Sequence, residues 1–181
     1  MMLETRNLIL RESVFDDCVL FAEWEKRADV QEFFTMNEDR DYEEIVRNFI
    51  NYSQDPTKEL FTITIKPSGT PIGRIYLSRI DHEEDSMDIT RIYIADTEQR
   101  NKGYGEEALR CILEYAFINH HMERVTIDYF TRNMPARHLY HKIGFTDEGT
   151  MRHAGKKNGK YYDLCLMSML RSEYYEKNRV R

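Results

Sequence analysis

The chain has 181 residues, 41% of them hydrophobic and 32% charged, with a formal net charge of −6. That length fits one domain, residues 1–181, with a core that needs no disulfide or metal staple. No apolar run approaches the ~20 residues of a membrane-spanning helix, and the acidic balance argues against a nucleic-acid binder, which would show a basic face. The start, Met1-Met2-Leu3-Glu4-Thr5-Arg6, lacks the apolar stretch of a secretory signal. Cys18, Cys111 and Cys165 form no pair motif and no zinc spacing. The expectation is a cytoplasmic protein with reduced core thiols.

Taken in order, Leu8-Ile9-Leu10 reads as a strand. Asp16 and Asp17 open a helix to about Arg27, with Cys18, Phe21, Ala22 and Trp24 or Glu25 near its inner face. Asp41-Tyr42-Glu43-Glu44 has the spacing of a capping box, and Ile45, Val46, Phe49 and Ile50 follow at helical spacing. Between the two helices, Phe33-Phe34-Thr35-Met36-Asn37 predicts a loop folded over something. The period then changes. Phe61 to Ile65 alternates as a strand, residues 67–71 form a turn, and Ile72 to Ile80 is its antiparallel partner. An acidic loop, Asp81 to Asp85, leads to a third strand, Met87 to Ile94.

Gly103 to about Asn119 is predicted helical, with Ala108, Leu109, Ile112, Leu113, Ala116 and Phe117 as its apolar stripe. Val125 to Tyr129 is a strand. Asn133 caps a short helix whose first turn holds Pro135. Phe145 to Thr150 and Tyr161 to Leu170 are strands, with the hairpin pair Asn158-Gly159 between them. The order predicts an α/β (α+β) domain with a mixed sheet.

Two constellations carry chemistry. In the first, the strand Ile92-Tyr93-Ile94 runs through Arg100-Asn101-Lys102-Gly103-Tyr104-Gly105 into a helix. Glycines let backbone N–H groups approach a ligand, and the helix start adds unpaired donors, which suits a phosphate. A glycine pair before a helix also often only shapes a turn. The Gly-Lys-Ser/Thr end of a P-loop is missing, and Ala108 stands where a dinucleotide fingerprint has its third glycine. In the second, Asn133, Ala136 and Tyr140 share one helical face before Gly144-Phe145. Alone, these read as a cap and a half-buried aromatic.

Together, in this order, they resemble the GNAT family of N-acetyltransferases, whose pattern is Gln/Arg-x-x-Gly-x-Gly/Ala followed by Asn-x-x-Ala-x-x-x-Tyr-x-x-x-Gly-Phe. The opening Glu4-Thr5-Arg6-Asn7-Leu8-Ile9-Leu10-Arg11 and the closing Asn158-Gly159-Lys160-Tyr161-Tyr162-Asp163 are similar to the branch that holds spermidine and ribosomal-protein acetyltransferases. The resemblance implies the GNAT fold, a mostly antiparallel sheet splayed beside the cofactor, and acetyl transfer from acetyl-CoA to an amine. It implies that Ile92, Tyr93 and Ile94 pair their backbone with the pantetheine arm. Arg100, Asn101, Lys102, Gly103, Tyr104 and Gly105 would hold the pyrophosphate, and Asn133 the arm. Tyr140 would protonate the leaving thiolate, a task within reach of a phenol of reference pKa ~10.

For the base, the family often uses ordered water. Asp88, Glu23 and Glu25 lie on segments expected to flank the cleft, each read first as a solvated surface acid, and none is assigned. His120-His121, His138 and His141 show no metal spacing, so no metal is expected. Ala136 and Tyr140 lean toward a small cationic amine such as a polyamine. Open alternatives are a protein N-terminus, an aminoglycoside or amino sugar, and a non-catalytic acyl-CoA sensor. The acidic segments Asp81–Asp85 and Asp39–Glu44 could draw in a polycation. The family often forms dimers or larger rings, which leaves self-association open.

Overall fold

A computed structural model describes residues 1–35 and 41–178. Its strands are β1 (Met2–Glu4), β2 (Leu8–Glu12), β3 (Glu59–Ile65), β4 (Pro71–Asp81), β5 (Ser86–Ile94), β6 (Arg124–Phe130), β7 (Thr146–Lys157) and β8 (Lys160–Leu170). They form one sheet in the order β1-β2-β3-β4-β5-β6-β8-β7. The β5–β6 pair is parallel and the others are antiparallel, so the sheet is mixed as the element order predicts. The helices are α1 (Asp17–Glu25), α2 (Ala28–Gln31), α3 (Tyr42–Ser53), α4 (Tyr104–Glu114), α5 (Met134–Ile143) and α6 (Arg171–Asn178). A π-helical turn, Tyr115–Asn119, extends α4.

Helices cover both faces of the central strands, which is why β4 is buried from Ile72 to Ser78 without a break. On one face the predicted stripe of α4, continued by Ala116 and Phe117, packs on Ile75, Leu77, Ile89 and Ile127. On the other, Cys18, Phe21 and Ala22 of α1 and Ile45 and Phe49 of α3 pack on Leu60 and Tyr76. Asp41 accepts a hydrogen bond from the Glu44 N–H at 2.8 Å and starts α3 where the capping box predicts. Asn158 and Gly159 both have positive φ, 49° and 74°, as the tight turn of the β7–β8 hairpin requires.

The strand β1 and the four-residue α2 are additions to the sequence reading. Of the apolar connector, Phe34 packs on Tyr93, ring centroids 5.7 Å apart. Met36, Asn37 and Asp39 lie outside the described residues. No helix among the described residues is long and apolar enough to cross a membrane.

The feature that shapes the site is a break in the sheet. The β5–β6 ladder runs from Ser86 opposite Arg124 to Ile89 opposite Ile127 and stops. Beyond it β6 stays with β8 as far as Phe130 opposite Leu164, while β5 stays with β4 as far as Ile94 opposite Gly73. Where they part, β5 carries an extra residue. Tyr76 faces Arg91 and Leu77 faces Ile89, so Thr90 is a bulge that bends the strand. The Thr90 hydroxyl donates to Asp88 Oδ1 at 2.7 Å, so the Ser78 hydroxyl, 2.6 Å away, must donate to Thr90.

Gly73 sits where β4 must lie close against the departing β5. A Cβ there would overlap the Tyr93 carbonyl oxygen, a backbone atom that cannot swing aside. Gly73→Ala should therefore cost about 3 kcal/mol of stability, read from the midpoint of urea unfolding.

Candidate active site

At one end of the break, β5 leads through the 3₁₀ turn Thr97–Gln99 to α4. Gly103 takes φ +85°, a left-handed conformation that an L side chain adopts only under strain. No side chain caps the start of α4. A Cβ at Gly103 would meet no atom within 4 Å, and one at Gly105 only Ile94 Cγ1 at 4.0 Å. The first turn is thus an open set of backbone donors at the positive end of a helix dipole, which fits a pyrophosphate. Arg100 is turned away from this opening. Its Nε donates to the Ile94 carbonyl at 2.8 Å, and its guanidinium pairs with Asp29 of α2 at 2.7 Å. Lys102 reaches Gln99 Oε1 at 3.0 Å on the surface.

Along the break, Ile92 and Ile94 turn their side chains into the main core, whereas the buried Tyr93 points to the opposite face. The edge of β5 from Thr90 to Ile94 has no ladder partner on its β6 side. Such an edge can pair with an extended molecule. At the other end of the break, Asn133 Oδ1 caps α5 by accepting from the Ala136 N–H at 3.2 Å. Its amide NH₂ donates no hydrogen bond among the described residues. Tyr140 of α5 is buried against Tyr129 and Phe145, at centroid distances of 5.8 and 5.9 Å. Among the described residues its hydroxyl has no hydrogen-bond partner. Burial, with Asp128 and Tyr129 nearby, pushes that hydroxyl above the ordinary phenol range.

Residues 7–146 match the model of the acetyltransferase (GNAT) domain. The chain belongs to the GNAT family. It is 25% identical to an uncharacterized N-acetyltransferase of Bacillus subtilis, over 96% of this chain and 99% of that one. It is 29% identical to the spermidine N(1)-acetyltransferase of Vibrio cholerae, over 59% of this chain and 61% of the relative. The crystal structure of spermidine N-acetyltransferase from Vibrio cholerae in complex with CoA and spermine superposes with a TM-score of 0.85 at 22% identity, covering 94% of this chain and 99% of that chain. At that identity the superposition speaks for the fold. The protein is a GNAT N-acetyltransferase that uses acetyl-CoA.

Within this GNAT domain, two of the three acids weighed as a base are not solvated surface groups. Glu25 is 2% exposed. One of its oxygens accepts from Arg74 at 2.7 Å, Arg91 at 3.0 Å and the Tyr93 hydroxyl at 3.1 Å. A carboxylate so engaged ties α1 to β4 and β5 and is not free to take a proton. Asp88 is also buried, accepting from Thr90 at 2.7 Å and Thr126 at 2.8 Å. Glu23 is exposed on the outer side of α1, as first read. Of the histidines, His141 lies 3.1 Å from Asp147 at the surface, and His120 stacks on His82 beside Glu59. Among the described residues no group of three or more His, Cys, Asp or Glu is placed to hold a metal ion.

Two features at the break were not foreseen. The first is α2, which is moored at both ends. Asp29 holds Arg100 at the glycine turn, while Lys157 and Arg132 donate to the carbonyls of Gln31 at 2.7 Å and Glu32 at 3.1 Å. The second is Asp128, the first residue of β6 beyond the last β5 pair. It is open to solvent, yet protein atoms crowd it. That crowding and the neighbouring Asp88 raise its pKa to about 6, with Arg79 opposing.

Glu25→Gln keeps the shape of the side chain but takes its carboxylate charge from the buried Arg74 and the half-buried Arg91. It should destabilise the fold by about 3 kcal/mol, measured by urea unfolding at neutral pH.

Proposed function

We propose that this GNAT domain acetylates a primary amine of a small cationic molecule, a polyamine in the first instance, by direct attack with Tyr140 as general acid. When bound, acetyl-CoA supplies an activated acetyl thioester. The backbone edge at Ile92, Tyr93 and Ile94 would hold the pantetheine arm, with the Asn133 amide donating to it. The open turn of Arg100, Asn101, Lys102, Gly103, Tyr104 and Gly105 would hold the pyrophosphate through N–H groups. Arg100 acts there as a brace for the turn rather than as a free cation.

The observation that carries this reading is the break in the sheet, with an anion-fitting turn at one end and a buried, protonated phenol at the other. A hydroxyl whose pKa is raised keeps its proton at neutral pH and can release it to a departing thiolate. The choice of a cationic acceptor is supported by Asp88 and Asp128 beside the break and by the relatives named for spermidine. The acidic loop also favours it in a minor way, as a long-range field, since Asp81 is occupied in capping the Glu83 and Glu84 N–H groups. Three unpaired cysteines suit a reducing compartment, and we place this single-domain enzyme, residues 1–181, in the cytoplasm.

The test is thiol release from acetyl-CoA against spermidine, spermine, aminoglycosides, amino sugars and short basic peptides. Polyamines should be turned over best. Tyr140→Phe should lose on the order of 10²-fold in kcat, while acetyl-CoA still raises its Tm. Turnover of peptides alone would overturn the small-amine reading, and a fully active Tyr140→Phe would remove the general acid.

A further inference from the structure

We infer that Asp128 is the general base of this enzyme, taking the proton from the acceptor amine on the face of the sheet opposite Tyr140. The assignment rests on the acetyl transfer proposed above and supplies the proton acceptor which that reaction lacks.

Strand alternation settles which face each group occupies. Thr126 reaches Asp88 with its hydroxyl, and Asp128, two residues further along β6, shares that face. It is also the face of Ser78, Thr90, Arg91 and Tyr93, on the side covered by α1. Tyr129 lies on the other face, in the core with α4, and there it meets the Tyr140 ring. The sheet therefore separates the two groups everywhere except at the break. Asp128 stands at that break, and its charge is felt by the Tyr140 hydroxyl. An acetyl group threaded through the gap would have an acid on one side and a carboxylate on the other.

Asp128 is also the acid with capacity to spare. Both oxygens of Asp88 are spent on Thr90 and Thr126, and Glu25 is bound to two arginines. Among the described residues the Asp128 carboxylate has no hydrogen-bond partner and is open to solvent. Among the described residues, the charged or titratable groups facing it are Asp88 from β5, Arg79 from β4 and Tyr140 from α5; its partner on β8 is the apolar Leu166. Asp88, fixed by its two hydroxyls, works as a positioning residue that raises the proton affinity of its neighbour.

The step balances as follows. Asp128 carboxylate takes one proton from the ammonium group. The freed nitrogen lone pair forms the N–C bond, and the C–S bond breaks with its electron pair leaving on sulfur. Tyr140 gives its proton to that sulfur and recovers one from the acylated nitrogen. Asp128 returns its proton to water, so one proton is released per turnover.

The experiment is the pH profile of kcat/KM for the best acceptor in the panel. The wild-type profile should rise with pH and level off above a midpoint near 6, because the base must be ionised to act. Asp128→Asn should lower kcat/KM at pH 7 by about 10²-fold. It should also lose the plateau, climbing through pH 9 with the acceptor's own deprotonation. Acetyl-CoA should still raise the variant's Tm, and Asp128→Glu should restore part of the rate and the plateau. An acceptor analogue whose amine is already neutral at pH 7 should be acetylated almost equally by wild type and Asp128→Asn. An Asp128→Asn enzyme with wild-type rate and midpoint would overturn the assignment alone. If that variant fails to fold, a wild-type profile without a midpoint near 6 overturns it. An enzyme that turns over no amine overturns the proposed function, and this assignment falls with it.

Discussion

A β-strand has two edges, and from Arg91 to Ile94 β5 keeps only one of them paired. Everything specific about this domain follows from that constraint. An unpaired backbone edge inside a protein is costly unless something else bonds to it. The bulge at Thr90 makes the separation a built feature, because Ser78 and Asp88 hold the extra residue through its hydroxyl. The remaining pairing of β5, to β4, must then bear the load. Gly73 permits that close approach at the far end, opposite Ile94.

The two faces of the break are held by different physics. On the α4 side the restraint is apolar packing. On the α1 side it is electrostatic, with Glu25 gathering Arg74, Arg91 and Tyr93 around one oxygen. The aromatic faces of Phe21 and Phe34 lie 4.0 Å and 5.5 Å from the two guanidinium carbons and help solvate the charge. A buried pair of this kind adds little net stability, but it strongly penalises any arrangement that separates its members. It therefore fixes geometry, which is what a site at a strand break needs.

Much of this was legible in the sequence because it depends on local rules. Asp41 and Asn133 announce their helices by the hydrogen bonds that their side chains can accept, and Asn158-Gly159 announces its turn by the positive φ both residues take. The glycine turn and the Asn133–Tyr140 helix were readable as a pair, though not singly. The rest depends on register, which spacing alone does not reveal. The bulge at Thr90 is an extra residue only relative to β4. Asp128 falls on the polar phase of its strand and so reads as a surface acid; its importance comes from where the β5–β6 ladder ends. The burial of Glu25 did leave a trace, since it follows Cys18, Phe21 and Ala22 on the inner face of α1, but its charge argued the other way. The helix α2 is too short to show any period.

That short helix has a consequence for how the protein assembles. Four residues make too few internal hydrogen bonds to hold a helix by themselves. Beyond local ties such as that of Gln31 to the Glu25 carbonyl, α2 is held by Arg100, Arg132 and Lys157, all far along the chain from it. Closing such long loops is entropically expensive until the sheet has already brought the ends together. The helix α2 must therefore be among the last pieces to form, and by the same reasoning among the first to open when the folded protein fluctuates.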